Sequence, residues 1–274
     1  GIVVAAGASE QAQQLLGATV ALRAGSYTQF RCIAADHCLV LPEGTDPAAA
    51  ASCFVNPLTA LGMVDTMRLE GHTALIHTAA ASNLGQMLQR ICLADDVALV
   101  NIVRSAAQEE TLRAIGAKHV CNMKDDDFEV RLADAIEATG VTLAFDATGG
   151  GDLASRILAS MESALTRGSE FNRYGSTVHK QVYLYGSLQP GPVVLKRSYG
   201  MAWGTGGWLL TNFLRRVGGD RSQELMARVA NEITSTFASR YTETISLAGV
   251  LDIATIGRFE KKGTGEKFLV AQHG

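Results

Sequence analysis

What the chain lacks narrows the field before any motif is read. Cysteine is scarce and poorly spaced for a cross-linked framework: five residues, at 32, 38, 53, 92 and 121, with no Cys-x-x-Cys pair. An odd, scattered set reads as unpaired, mostly buried thiols in a reducing compartment, and the cytoplasm is the expected location. Charge of neither sign clusters. Lys and Arg number 24 against 27 Asp and Glu, a net −3, so nothing calls for nucleic acid or an anionic membrane as partner. Long apolar runs are missing too. The uncharged stretches 47–64, 71–89 and 198–214 each hold Pro, His, Asn, Gln or several Gly, and they read as core segments rather than transmembrane helices. No signal peptide is visible, and the opening Gly1-Ile2-Val3-Val4-Ala5 is already strand-like with no initiator Met. The chain is therefore expected to be a piece of a longer protein, cut inside a β-rich domain.

Apolar residues are plentiful, at 47% of 274, with 28 glycines and only 19% charged residues. That composition excludes disorder and a coiled coil, and the length suits one large or two ordinary domains. No internal repeat or low-complexity tract appears. Residues 1–45 are short β-prone runs broken by turns: Ile2–Ala5, Ala18–Arg23, Tyr27–Ala34 and Cys38–Leu41. From Asp46-Pro47, an N-cap with proline at the first helical position, the texture changes. Strands are expected at 73–78, 97–103, 118–122, 142–146 and 181–185, alternating with helices at 83–93, 106–115, 126–139 and 151–166. Runs such as Ala74-Leu75-Ile76 and Val97-Ala98-Leu99-Val100 are apolar on both faces, as strands covered by helices on both sides must be. The expected fold is α/β: a doubly wound parallel sheet, Rossmann-like, with right-handed crossovers. Beyond 186 the pattern loosens into a glycine-rich run with both tryptophans, helices at 221–237 and 247–257, and a closing strand at 267–271.

The chemistry-bearing feature is the first strand–turn–helix of the alternating region. Strand 73–78 leads into Ala80-Ala81-Ser82-Asn83-Leu84-Gly85 and then a helix. A dinucleotide turn needs small residues at three places, for a tight turn, for pyrophosphate approach to the backbone, and for helix–strand packing. Ala80, Ser82 and Gly85 stand there. The turn reads either as a degenerate fingerprint or as an ordinary βα turn; its place at the head of the parallel unit, where a helix N-terminus can hold phosphate, favours the first. The second strand ends Asn101-Ile102-Val103-Arg104-Ser105, with no carboxylate before Glu109. An NAD enzyme usually places an acid there for the ribose hydroxyls. A guanidinium instead forks onto a 2′-phosphate, which points to NADPH, unless Arg104 is merely a solvated strand-end residue. The fourth strand ends Phe145-Asp146-Ala147-Thr148-Gly149-Gly150, whose glycines would admit a nicotinamide close to the strand ends or simply open a helix.

Together with Asn56-Pro57-Leu58-Thr59-Ala60, LRAIGAKHV at 112–120, AFDATGGG at 144–151 and Gly265-Glu266-Lys267-Phe268-Leu269-Val270, these stretches resemble the zinc-free medium-chain dehydrogenase/reductases, the quinone oxidoreductases and 2-enoyl thioester reductases. The resemblance implies that residues 1–50, rejoined by 240–274, are the remainder of a GroES-like substrate domain and that 51–239 bind the dinucleotide. It implies cofactor contacts from Thr59, from Ala81, Ser82, Asn83, Leu84 and Gly85, from Arg104, from Gly149 and Gly150, from Tyr185, Gly186 and Ser187, and more loosely from Lys267. It also implies a homodimer through the segment 181–214. Two departures stand out. Zinc-dependent members carry a cysteine ligand four residues before the threonine matching Thr59; Val55 holds that place, Cys53 is two residues off, and Ala18–Ser26 is too short for a four-cysteine lobe. No metal site is expected. The loop 168–180, with Arg173, Tyr174 and His179, is longer than the family's usual link; it faces substrate or solvent, and the solvated reading is favoured.

His77, in an apolar strand, reads as a core residue rather than a catalyst. His72, His119 and His273 sit at element ends. Trp203 and Trp208 are interface anchors or plain core. The expected activity is NADPH-dependent reduction of a small molecule, a quinone or an activated carbon–carbon double bond (enone or enoyl thioester), without zinc. A dinucleotide-binding protein without turnover is the alternative and a zinc alcohol dehydrogenase the third. No catalytic acid can be named from these residues.

Overall fold

A computed structural model describes residues 1–23, 25–260 and 267–272; Gly265, Glu266 and His273 lie outside them. The elements are α1 (Glu10–Gln14), β1 (Val20–Leu22), β2 (Cys38–Val40), α2 (Val55–Leu69), β3 (Ala74–His77), α3 (Asn83–Ala94), β4 (Ala98–Val103), α4 (Ala106–Arg113), β5 (His119–Asn122), α5 (Phe128–Thr139), β6 (Leu143–Asp146), α6 (Leu153–Thr166), β7 (Lys180–Leu184), β8 (Trp203–Gly207), α7 (Leu210–Asn231, broken at Gly218), β9 (Glu243–Ser246), α8 (Ile253–Glu260) and β10 (Phe268–Ala271). They fall into two compact units, Ala60–Arg216 and Gly1–Thr59 with Val217–Gly274.

The larger unit is a parallel sheet in the order β5-β4-β3-β6-β7-β8. The doubly wound expectation holds, and the strand order reverses at β3, where β4 and β6 flank it. One face is filled by α5 and α6: Ile76, Val100, Ile102 and Val182 meet Phe128, Leu132, Ile136, Ile157, Leu158 and Met161. Each fully buried aliphatic or aromatic side chain of this kind contributes roughly 1.5–3 kcal/mol. On the other face Trp208 stacks on Phe213, meets Phe145 edge-on, and donates its Nε1–H to Thr66 Oγ1 at 3.0 Å. Trp203 packs edge-on against the buried Tyr199. Both tryptophans are half-buried and packed against core residues of their own unit.

Several elements depart from the sequence expectation for physical reasons. Helix α2 gives no periodic signal in the sequence, because its polar residues Thr59, Asp65 and Thr66 are buried along with its apolar ones. Ala60, Leu61, Met63, Val64 and Met67 are all buried, so no polar stripe marks a 3.6-residue period. Tyr27–Ala34 is not a strand: Tyr27 and Phe30 are largely exposed, and Thr28 Oγ1 donates to the Phe30 carbonyl at 2.9 Å, a local turn that competes with extended pairing. Strand β8, Trp203–Gly207, gives no strand signal because three of its five residues are glycine.

The loop 168–180 enters β7 from its amino end, and in a parallel sheet all amino ends share one edge. It therefore lies opposite the carboxyl edge of its own sheet, and the solvated reading stands. Arg173 sits 5.2 Å over the Tyr174 ring, and both are exposed. The loop is nonetheless anchored. Lys180, fully buried, pairs with Glu162 Oε2 at 2.6 Å, and Glu162 Oε1 accepts the Ser176 N–H at 2.8 Å.

The smaller unit pairs β1 with β2 antiparallel and β9 with β10 in parallel. Ile2 makes only an isolated bridge to Thr19 in place of the expected first strand. Asp46 Oδ1 accepts the Ala48 N–H at 3.0 Å ahead of a 3-10 turn at Ala49–Ser52.

Candidate functional site

The carboxyl edge of the sheet gathers most of the candidate residues. From β3 the chain turns through Ala79, whose φ of +50° is unusual for a residue with a side chain. Ser82 then caps α3, its Oγ accepting the Gly85 N–H at 3.1 Å. Ala80 donates its N–H to the Ile102 carbonyl at 3.2 Å, which holds the turn against the end of β4. Gly85 is required by space: a Cβ there would stand 2.1 Å from the Ala80 carbonyl oxygen. Gly85→Ala should therefore destabilise the chain by about 3 kcal/mol, since the obstacle is backbone rather than a movable side chain. A thermal melt of the variant checks this, and an unchanged midpoint would refute it.

Arg104 lies just past β4 on the same edge. Its backbone N–H donates to Gln108 Oε1 at 3.0 Å, while its side chain is exposed and has no ion pair among the described residues. Ser105 Oγ caps α4 by accepting the Gln108 N–H at 3.4 Å. Glu109, the first carboxylate after the strand, is held by Arg113 at 2.7 Å and lies 3.6 Å from Arg131. Glu109 is thus held by arginines rather than turned to ribose hydroxyls.

The exits of β6 and β7 are pressed together. Asp146, almost wholly buried, is saturated: its carboxylate accepts from Thr78 Oγ1 at 2.7 Å, from Thr148 N at 2.9 Å and from Thr148 Oγ1 at 2.7 Å. Thr78 Oγ1 in turn accepts the Ala147 N–H at 2.8 Å. Asp146 is therefore a clamp between β3 and β6. Gly149, at φ +68°, would drive a Cβ to 2.1 Å from the Gly186 carbonyl oxygen, and Gly186 would drive one to 2.5 Å from that of Ala147. A bare backbone floor follows from that crowding. Tyr185 closes the group: its hydroxyl meets His77 Nε2 at 2.6 Å, and the two rings stack at 5.7 Å. Gly150 and Ser187 lie beside these residues in the chain.

Thr59 and Lys267 belong to the smaller unit. Thr59 is buried in the early turns of α2. Lys267 Nζ donates to Ser52 Oγ at 2.6 Å and to Ser239 Oγ at 3.2 Å, and burial lowers its pKa to about 8. The sequence reading missed Thr78, Asp146, Ser52 and Ser239 as individuals and set His77 aside. None carries a spacing signal, because each acts through partners from distant strands. Among the described residues no group of three or more His, Cys, Asp or Glu could hold a metal ion. No described helix is long and apolar enough to cross a membrane.

A six-stranded parallel sheet ordered about a central switch point, with a capped helix opening at that edge, is a doubly wound dinucleotide-binding architecture. Solved structures similar to this chain include quinone and enoyl reductases of the medium-chain dehydrogenase/reductase superfamily. A Mesorhizobium loti protein assigned as an NADPH:quinone reductase is 25% identical, with a TM-score of 0.78 over 99% of this chain and 76% of its own. A mycobacterial protein solved with NADPH is 19% identical, with a TM-score of 0.72 over 99% of this chain and 80% of its own. A mutant enoyl thioester reductase of Candida tropicalis is 18% identical, with a TM-score of 0.58 over 86% of this chain and 68% of its own. No family model matches the chain.

Proposed function

We propose that this protein is an NADPH-dependent reductase of a small molecule, acting without zinc on a quinone or an activated carbon–carbon double bond. One observation carries the reading: an exposed Arg104, with no ion pair among the described residues, stands beside a capped helix start on the carboxyl edge, where an NAD enzyme would present a carboxylate. The residues present suit the cofactor. The turn of Ala81, Ser82, Asn83, Leu84 and Gly85 aims the amino end of α3, the positive end of its dipole, at pyrophosphate. Arg104 forks onto the 2′-phosphate. Gly149, Gly150 and Gly186 offer a floor without side chains. Thr59, Tyr185, Ser187 and Lys267 complete the set by the family resemblance. NADPH, when bound, supplies a hydride. In this reading residues 51–239 serve the dinucleotide, residues 1–50 with 240–274 serve the substrate, and the protein works in the cytoplasm.

Binding and turnover separate the alternatives. NADPH should bind, and its oxidation should be followed with a panel of quinones, enones and enoyl thioesters. Binding with no turnover on any of them would favour a sensing or structural role, and stoichiometric zinc by metal analysis would revive the alcohol dehydrogenase reading. The edge strand β8 has one unpaired side and would be costly to leave open. A homodimer through 181–214 is the expected assembly, and a monomer mass by light scattering at micromolar concentration would count against it.

A further inference from the structure

Three strand exits meet at the switch point of the sheet, and each pair is tied. Thr78 and Asp146 tie β3 to β6. The Tyr185 N–H donates to the Asp146 carbonyl at 3.0 Å and ties β6 to β7. The third tie is His77 to Tyr185, which reaches from β3 across β6 to β7. Unlike the other two it joins a pair of side chains that backbone geometry does not bring together.

That third tie has a cost. His77 is fully buried, and burial lowers its pKa to about 3, so the ring is neutral throughout the physiological range. Burial also pushes the Tyr185 hydroxyl above its ordinary range. Whichever of the Tyr185 hydroxyl and His77 Nε2 donates across their 2.6 Å contact, the other ring nitrogen is left over. That Nδ1 is buried and has no partner among the described residues. An enclosed, unsatisfied polar atom is a stability cost that an apolar residue would avoid. A histidine at the end of a central apolar strand is thus not explained by packing.

We propose that His77 is a positioning residue: by holding the Tyr185 hydroxyl it fixes the exit Tyr185–Ser187, which lies across the switch point from β4 and Arg104 and so on the nicotinamide side of a dinucleotide whose 2′-phosphate meets Arg104, and it leaves the adenosine end untouched. The proposal rests on the NADPH reading above, and it separates two halves of one ligand. An exit freed from β3 must be ordered again on binding, a penalty that corresponds to roughly a threefold to tenfold loss of affinity.

The experiment uses the 274-residue chain and two probes, NADPH and 2′,5′-ADP, the second carrying only the adenosine phosphates. His77→Leu, Tyr185→Phe and the double variant are titrated calorimetrically, and their melting temperatures are recorded. The expected result is a threefold to tenfold weaker NADPH in each single variant and no further loss in the double one, since both remove the same bond. Affinity for 2′,5′-ADP should stay within twofold. The double variant should also melt no lower than either single one, because it leaves no polar partner stranded. NADPH affinity within twofold of the native chain in all three variants would overturn the proposal. So would parallel losses of NADPH and 2′,5′-ADP, which would mark the pair as structural support alone. Should the native chain bind neither probe, the NADPH reading itself fails, an outcome distinct from both.

Discussion

Glu162→Ala should destabilise the larger unit by about 3–5 kcal/mol, the range expected when one member of a buried ion pair is removed. Lys180 has no exposed surface and pairs with Glu162 at 2.6 Å. Its other contact is the Val178 carbonyl at 3.2 Å, so without Glu162 the ammonium faces dipoles only. The same carboxylate accepts the Ser176 N–H, and Gly175 and Gly200 crowd it so closely that a Cβ on either would meet Oε1 at 2.3 or 3.1 Å. Loss of Glu162 therefore also frees the 168–180 loop. Glu162→Ala combined with Lys180→Met should recover much of the loss, because no charge is then stranded. Chemical denaturation of the single and double variants tests this. A double variant no more stable than Glu162→Ala would show that the loop contacts, and not the stranded charge, carry the effect.

Arg104→Ala should weaken NADPH binding by about tenfold and leave NADH nearly unchanged. A guanidinium forked onto a dianionic phosphate makes charge-assisted bonds of roughly 1.5–3 kcal/mol each. At about 1.4 kcal/mol per factor of ten, one contact supports tenfold to hundredfold discrimination. Arg104 is exposed, and solvent screening places the effect at the lower end. Ser105 softens it further, since its hydroxyl accepts from the helix yet keeps a proton to donate. Arg104→Asp should repel the phosphate and offer a ribose acceptor, moving preference towards NADH. Calorimetric titration of both cofactors decides. Equal losses for the two, or none for either, would reduce Arg104 to a solvated strand end.

The parts of this molecule legible in the sequence are those whose physics is local. Ala74-Leu75-Ile76 announces a strand buried on both faces, Leu99-Val100 does so once past the exposed Ala98, and Ser82 with Gly85 announces a helix packed against its own strand. Helix α2 was illegible for the opposite reason, being buried nearly all round. Tyr27–Ala34 has strand composition without a partner strand. Of the candidate site, the turn at 80–85 and Arg104 could be read because sterics and charge constrain single positions. Asp146 could be read only as part of a string, and His77 not at all. Their roles arise from Thr78, Thr148 and Tyr185, brought beside them by the sheet and invisible along the chain.

The strand order has a kinetic consequence. Neighbours within each half of the sheet follow one another in sequence, but β3 and β6 do not. Their pairing, Ile76 with Ala144 and His77 with Phe145, is the shortest ladder of that sheet and spans its widest gap in the chain. Loop-closure entropy weighs most on such a join and the ladder returns least for it. The two halves should condense first and this seam last. A dinucleotide lying across the seam would then bind the finished state far better than any half-assembled one, and by mass action would draw the chain towards completion.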